Sequence, residues 1–569
     1  MNGADYAVLF GVLLGIAGYG MWRTRHRRDL STYVKGHGTS RWLVIGLSVM
    51  ATQASAITFL STPGQGYTDG LGFVQNYFGA PFALILISIV FLPMYRRLGI
   101  HTVYEFLGQR FDSKTRLLGA VIFLVQRGLG AGITIYAPAI VLSTVLGWPL
   151  SLTIVCCSTL VILYTVSGGS EAVSVTQTWQ MAIIFTGMAL AFVILLRELP
   201  PALTMSDTLA LAGAFRKLRA IDFSVNLHER YTFWSGMLGG MFLALSYFGA
   251  DQSQVQRYVS GASLRESRLG LMFNAVWKIP MQAGILLLGA LLFVFYQFQA
   301  PPIFFNTVAW QQQASGPHAA ALQTLEADYA RTHAETRASI DTWLAARQRQ
   351  DTAAEAAAIQ DAQASRARGE QLRDQAKAIL KQGAPRLSTN DADYVFITFV
   401  LHQLPHGLIG LLVAAFLAAA LQSKSAELTA LGATTTVDFY RHILRREAGD
   451  EHHVRATRWF TAFWGIVAMS FALFASMSEN LIQAVNIVGS IFYGVALGLV
   501  LVAFFAKRVQ GTAVFWAGVA SQLLVFVLFA TLEISYLWYN VIGCGACVLL
   551  SLALQAIVDR RPGPSSLPG

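Results

Sequence analysis

Apolar stretches long enough to cross a bilayer follow one another along almost the whole chain, and two of them carry polar residues that a plain anchor would not. About thirteen stretches reach the roughly 20 residues that a hydrocarbon core demands. One runs from Trp42 to Gly64 and includes Ser48, Thr52, Gln53, Ser55 and Thr58. Another runs from Gly410 to Glu427 and includes Gln422, Ser423, Lys424 and Ser425. Hydroxyls, amides and an amine at membrane depth are costly unless they face a cavity or one another. Such segments mark where something polar crosses.

Only 13% of the 569 residues are charged and 54% are hydrophobic, whereas a soluble domain carries about 25% charged residues. The chain therefore reads as an all-α integral membrane protein whose first partner is the lipid bilayer. The net charge of +10 fits basic loops on the cytoplasmic side, and nucleic acid is not an expected partner. Cys156, Cys157, Cys544 and Cys547 lie inside apolar spans and read as packing residues. The first stretch, from about Tyr6 to Trp22, has neither a basic region before it nor a cleavage site after it, so it reads as a retained helix. No nucleophile–base pair, metal cluster or phosphate loop supports an enzyme, and no charge rings support a channel.

Spans are predicted near 5–23, 42–61, 73–97, 117–146, 149–166, 178–198, 232–250, 271–298, 407–436, 457–477, 480–505, 512–531 and 534–557. Lys and Arg concentrate in alternate loops: Arg23, Arg25, Arg27, Arg28, Lys35 and Arg41; Arg96, Arg97, Arg110, Lys114 and Arg116; Arg257, Arg265 and Arg268; Arg441, Arg445, Arg446, Arg455 and Arg458; Lys507 and Arg508; Arg560 and Arg561. With that span count all fall on one face, which places the N-terminus outside and the C-terminus in the cytoplasm of a bacterial inner-membrane protein. Residues 301–392 interrupt the pattern with an Ala-, Gln-, Glu- and Arg-rich segment of strong helix formers. Both of its ends return to the same face, so a helical hairpin outside the cell is expected, as a spacer or an arm that docks a partner.

Several segments resemble the sodium:solute symporter family. Val90-Phe-Leu-Pro-Met-Tyr-Arg-Arg-Leu-Gly followed by Thr102-Val-Tyr-Glu-Phe-Leu-Gly-Gln-Arg-Phe111 is similar to that family's loop after its second core helix. Gln126 and Ile135-Tyr-Ala-Pro138 resemble the branch carrying monocarboxylates, vitamins and iodide. Tyr164-Thr-Val-Ser-Gly168-Gly169 and Asp251-Gln252 with Gln256-Arg257-Tyr258 resemble two further family motifs. The resemblance implies a LeuT-like five-plus-five inverted repeat, with one extra N-terminal and two extra C-terminal helices. The chain then divides into 1–30, the extra helix and basic loop; 31–300, the first repeat and the start of the second; 301–392, the insert; 393–505, the remainder of the second repeat; and 506–569, two C-terminal helices and a short tail. Substrate and ions sit near the midplane beside unwound helices in such folds, here expected within the second and ninth predicted spans.

Sodium, a hard cation, takes oxygen ligands (compare other hard cations). Carried over from the family, its ligands are the carbonyls of Ala51, Ala54 and Ala419 and the side chains of Gln422 and Ser423. Gln422 departs from the usual hydroxyl. Gln177 stands where the family often has an aspartate. Lys424 follows the ion-site pair directly, and like charges ~4 Å apart at an effective dielectric of ~20 repel by about 4 kcal/mol. It either pairs with Glu427, three residues on, or takes the cation's place as a proton-linked amine. Substrate candidates are Gln53, Thr58, Arg127, Tyr247 and Asn486. Arg127 suits a carboxylate, which a guanidinium binds bidentately. Trp234 and Phe248 are further aromatics that would gate or stack, while His402 and His406 read as surface residues. Val485 stands where sugar-binding relatives place a glutamine, which argues against a sugar carrier. The reading is a sodium-coupled symporter of a small organic solute, anionic or carboxylate. A proton-coupled or ion-independent carrier with Lys424 in the sodium's place is the alternative. A transporter-like sensor is the second alternative, disfavoured because few residues follow the last span.

Overall fold

A bilayer offers no water to unpaired backbone groups, so a chain that crosses it repeatedly must close its hydrogen bonds within helices. In the computed structural model, described over residues 1–24, 41–98, 102–259, 261–385, 387–444, 447–474 and 479–559, every regular element is a helix. The side chains at 16–24, 167–179 and 422 fall outside the description. From the N-terminus, α1 (Gly3–Thr24) is followed by a helix in two pieces, α2 (Trp42–Gln53) and α3 (Ala56–Asp69). Then come α4 (80–98), α5 (Ser113–Leu146) and α6 (Leu150–Glu198). α7 (Ser235–Gly249) and α8 (Leu264–Phe298) open the second half. The hairpin helices α9 (Ala319–Gln348) and α10 (Thr352–Gly383) interrupt it. It resumes with α11 (Ala392–Gln403), α12 (Leu408–Leu444), α13 (Asp450–Phe474) and α14 (Leu481–Phe505). α15 (Gly511–Thr531) and α16 (Leu537–Asp559) follow.

Among the described residues nine helical runs are long and apolar enough to cross a membrane, and four further apolar helices are shorter. The spans predicted at 149–166 and 178–198 differ from the structure in one respect. They lie in one helical run of 49 residues, roughly 74 Å at 1.5 Å per residue, more than twice the ~30 Å core. Residues 167–177, between those two predicted spans, are helical.

An unwound segment interrupts the first helix of each half. α2 ends at Gln53 and α3 begins at Ala56, with Ala54 and Ser55 between them. In the second half α7 ends at Gly249, and a short helix restarts at Gln252 after Ala250 and Asp251. The expected break in the ninth predicted span is absent: Leu408–Thr434 is an uninterrupted α-helix that continues with π geometry to Leu444. Two of its polar side chains find partners without a break. Lys424 pairs with Glu427, and the Ser423 hydroxyl reaches the carbonyl of Thr52.

α8 packs along α2, α3 and α4, and α12 along α5 and α6. The basic loops meet at one end of the bundle. There Arg96 donates to Ser267, Arg110 to the carbonyls of Ala506 and Lys507, and Arg116 pairs with Asp438 at 2.7 Å. Arg25, Arg27, Arg28, Lys35, Arg445, Arg446, Arg560 and Arg561 lie outside the described residues. The hairpin sits at the opposite end. His333 bonds the carbonyl of Tyr296, Arg337 that of Phe298, and Arg347 pairs with Asp207 at 2.8 Å.

α3 and α8 approach so closely that a Cβ on Gly289 would stand 2.1 Å from the Pro63 carbonyl oxygen, and one on Gly66 2.3 Å from that of Leu286. Overpacking a tight contact costs about 1–3 kcal/mol. Gly289→Val is expected to lower the melting temperature of the detergent-purified protein by several degrees. A melt unchanged from wild type would show that this contact does not fix the position of α3.

Candidate functional site

The break between α2 and α3 leaves the last carbonyls of α2 without their helical partners. The Thr58 hydroxyl lies 3.5 Å from the carbonyl of Gln53, across the break. Ser423 lies opposite, its hydroxyl 3.5 Å from the Thr52 carbonyl. Ala51 on α2, Ala54 in the break and Ala419 on α12 are buried. The break thus brings together the carbonyls of Thr52 and Gln53 and the hydroxyls of Thr58 and Ser423, oxygens of the kind a hard cation takes. The side chains of Gln422 and Gln177 lie outside the described residues, although the backbone of both is helical.

Beside the break is a cavity of about 100 Å³. Of the residues selected from sequence, Gln53, Thr58, Arg127, Tyr247, Asn486 and Ser423 line it, together with Phe248 and Val485. Gln53 Oε1 is buried without a hydrogen-bond partner. Asn486 donates to the Ile482 carbonyl at 2.8 Å, and the Tyr247 hydroxyl accepts from Gln254 at 2.7 Å. Trp234 stands apart, half exposed, against Phe223 and Phe233. His406 bonds the buried Asp5, and His402 the Thr398 carbonyl.

Arg127 and Lys424 belong to one buried network. Arg127 pairs with Asp251 in the unwound segment after α7 and with Glu427 on α12 at 3.4 Å. Its guanidinium also donates to the Tyr493 hydroxyl at 3.1 Å. Lys424 pairs with Glu427 and donates to the Ala131 carbonyl at 3.2 Å. Two cations thus face two carboxylates, while the Arg127 Nε is left without a hydrogen-bond partner. The Lys424 amine is drawn toward α5, while Ser423 faces α2.

The sequence reading missed a third cation. Lys278, on α8, is 3% exposed and lines the same cavity, its amine 4.7 Å from the centre of the Tyr77 ring. No carboxylate pairs with it among the described residues. A lysine inside the apolar run 271–298 carried the same signal that singled out Lys424.

Removing one partner of a buried pair strands the other charge, at about 3–5 kcal/mol. Glu427→Gln is expected to destabilise the purified protein by that order, and Lys424→Met in the same chain to restore part of the loss. A Glu427→Gln variant that melts with the wild type would show that the network carries no such energy.

The model of the sodium:solute symporter family matches residues 33–317 and 383–520, which leaves most of the hairpin unmatched. The human sodium/iodide cotransporter is 32% identical over 295 residues, covering 51% of this chain and 45% of its own. Human sodium-coupled monocarboxylate transporter 1 is 34% identical over 280 residues, with 48% and 45% covered. This chain therefore spans about half the length of these curated relatives. The sodium/sialic acid symporter of Proteus mirabilis is 23% identical over 555 residues, covering 96% of this chain and 93% of its own. The substrate-bound, outward-open structure of a Na+-coupled sialic acid symporter superposes with a TM-score of 0.73 at 22% identity and covers 98% of both chains. With the family's model matched over well more than half of its residues, this chain belongs to the sodium:solute symporter family.

Proposed function

We propose that this protein is a secondary active transporter that couples sodium entry to uptake of a small anionic solute by alternating access. The observation that carries the reading is the pairing of two features across one cavity. On one side is the oxygen-lined gap between the α2–α3 break and Ser423. On the other is Lys278, a buried cation with no carboxylate partner. An unpaired buried ammonium is costly, and an anionic solute entering the cavity would offset that cost; Gln53 Oε1, on the same cavity, is open to a hydroxyl or N–H of the solute. The relatives above transport iodide, monocarboxylates and sialic acid by name, and all are anions at neutral pH. Lys278, rather than Arg127, is the residue assigned to the solute's charge, because Arg127 already holds Asp251 and Glu427.

The sodium ligands are Ala51, Ala54, Ala419 and Ser423, with Gln422 as a fifth. The pairing of Lys424 with Glu427 removes the support for an amine in the cation's place. The basic end of the bundle is assigned to the cytoplasm, and the hairpin and N-terminus to the outer side of the inner membrane.

Uptake of labelled pyruvate and labelled sialic acid into proteoliposomes tests this directly. An inward sodium gradient is expected to drive accumulation of one of them, and a proton gradient alone is not. Losing one ligand is worth about 1–2 kcal/mol, and 1.4 kcal/mol is tenfold, so Ser423→Ala is expected to raise the half-saturating sodium about tenfold. Lys278→Gln removes a charged partner worth about 1.5–3 kcal/mol and is expected to raise the half-saturating solute by tenfold or more. Accumulation indifferent to sodium would overturn the coupling. Wild-type solute affinity in Lys278→Gln would overturn the anion site.

A further inference from the structure

Above the central cavity a second chamber, of about 660 Å³, opens at the hairpin end of the bundle. Its floor is the end of α3, with Gln65, Tyr67, Thr68 and Asp69. Its roof is one stripe of α10, where Arg366, Glu370, Arg373 and Lys377 follow at helical spacing. That stripe lies within 318–382, which the family's model does not match. The hairpin therefore builds half of a chamber over the mouth of the transport path.

Four of the five cations in the chamber already face carboxylates. Arg373 and Lys377 share Asp391 at 2.7 and 3.6 Å, Arg366 pairs with Glu370 at 2.7 Å, and Arg230 with Glu479 at 2.8 Å. Lys217 does not. Its amine caps the carbonyl of Thr68 at the end of α3 and lies 4.7 Å from the centre of the Phe293 ring. Arg366 sits 4.5 Å from the same ring centre. Among the described residues no carboxylate lies within ion-pair distance of Lys217. Asp69, the acidic group on its own side, accepts from Gln65 instead. The fold has thus brought two cations onto one aromatic ring and left one of them a single backbone acceptor. An anion in the chamber they both line would be attracted by each.

We propose that this chamber is an outer binding site for a carboxylate, with Lys217 as its principal charge and Arg366 of the hairpin as its second. It would collect the anionic solute before sodium-dependent entry to the central cavity. The inference rests on the anionic-solute reading above. Burial, and then the charge of Arg366, lowers the pKa of Lys217 to about 8, with Asp69 and Glu370 acting in the opposite sense. The amine is therefore charged below that pH and loses its charge as pH rises through it.

The test is equilibrium binding of labelled pyruvate to the full-length, detergent-purified protein in sodium-free buffer. Saturable binding is expected in wild type, about tenfold weaker in Lys217→Gln, and retained in Lys217→Arg. Binding should weaken above pH 8 in wild type and hold its strength there in Lys217→Arg. Lys278→Gln, altered in the central cavity, should keep the sodium-free binding. Wild-type affinity in Lys217→Gln, or loss of sodium-free binding in Lys278→Gln, would overturn the outer site. Failure of sodium-driven uptake by the wild type would instead count against the transport reading, so the two failures are separable.

Discussion

Four charges with almost no access to water tie three elements of this protein together. Arg127 on α5 binds Asp251 in the unwound stretch after α7 and Glu427 on α12, and Glu427 in turn binds Lys424. Each ion taken from water alone costs several kcal/mol, and the cost is offset only if every partner is in place. The network therefore fixes the distance between α5, α12 and the second unwound segment. That spacing keeps open the gap that the α2–α3 break faces.

The break itself has a local cause and a distant support. Within the run from Trp42, the hydroxyls of Thr52 and Thr58 bond carbonyls of the same segment, at Ser48 and Gln53. Beyond the break, Gly66 and Gly289 let α3 lie backbone to backbone on α8. α3 therefore has a firm seat, while the two residues before it stay unwound. A helix that ends in mid-membrane against a seated partner presents its carbonyls to a cation without rearrangement, which is the arrangement that broken helices provide in carriers.

The sequence showed much of this, for identifiable reasons. Spans declare themselves by apolar length, and charge bias in the loops assigns their ends. The first break was legible because polar residues crowd one apolar run. The second unwound segment was not, because its polar residues, Asp251-Gln252-Ser253-Gln254, follow the predicted span rather than interrupt it, and its meaning depends on Arg127, 124 residues away. The polar cluster at 422–425 was read as a break, yet α12 runs through it, with Ser423 bonding α2 and Lys424 bonding α5. Arg127, expected as a solute ligand, also holds two carboxylates that its own helix does not reveal. Lys278 was passed over although its setting matched that of Lys424. Whether a buried cation is paired depends on tertiary contacts, and spacing along one helix does not reveal them.

The central claim is that the gap between the α2–α3 break and Ser423 holds sodium. Binding of labelled sodium to the purified protein, wild type against Ser423→Ala, measures this without requiring that the solute be known. The account predicts saturable binding in wild type that weakens about tenfold when the hydroxyl is removed. Saturable binding unchanged in Ser423→Ala, or no saturable binding in wild type, would contradict it.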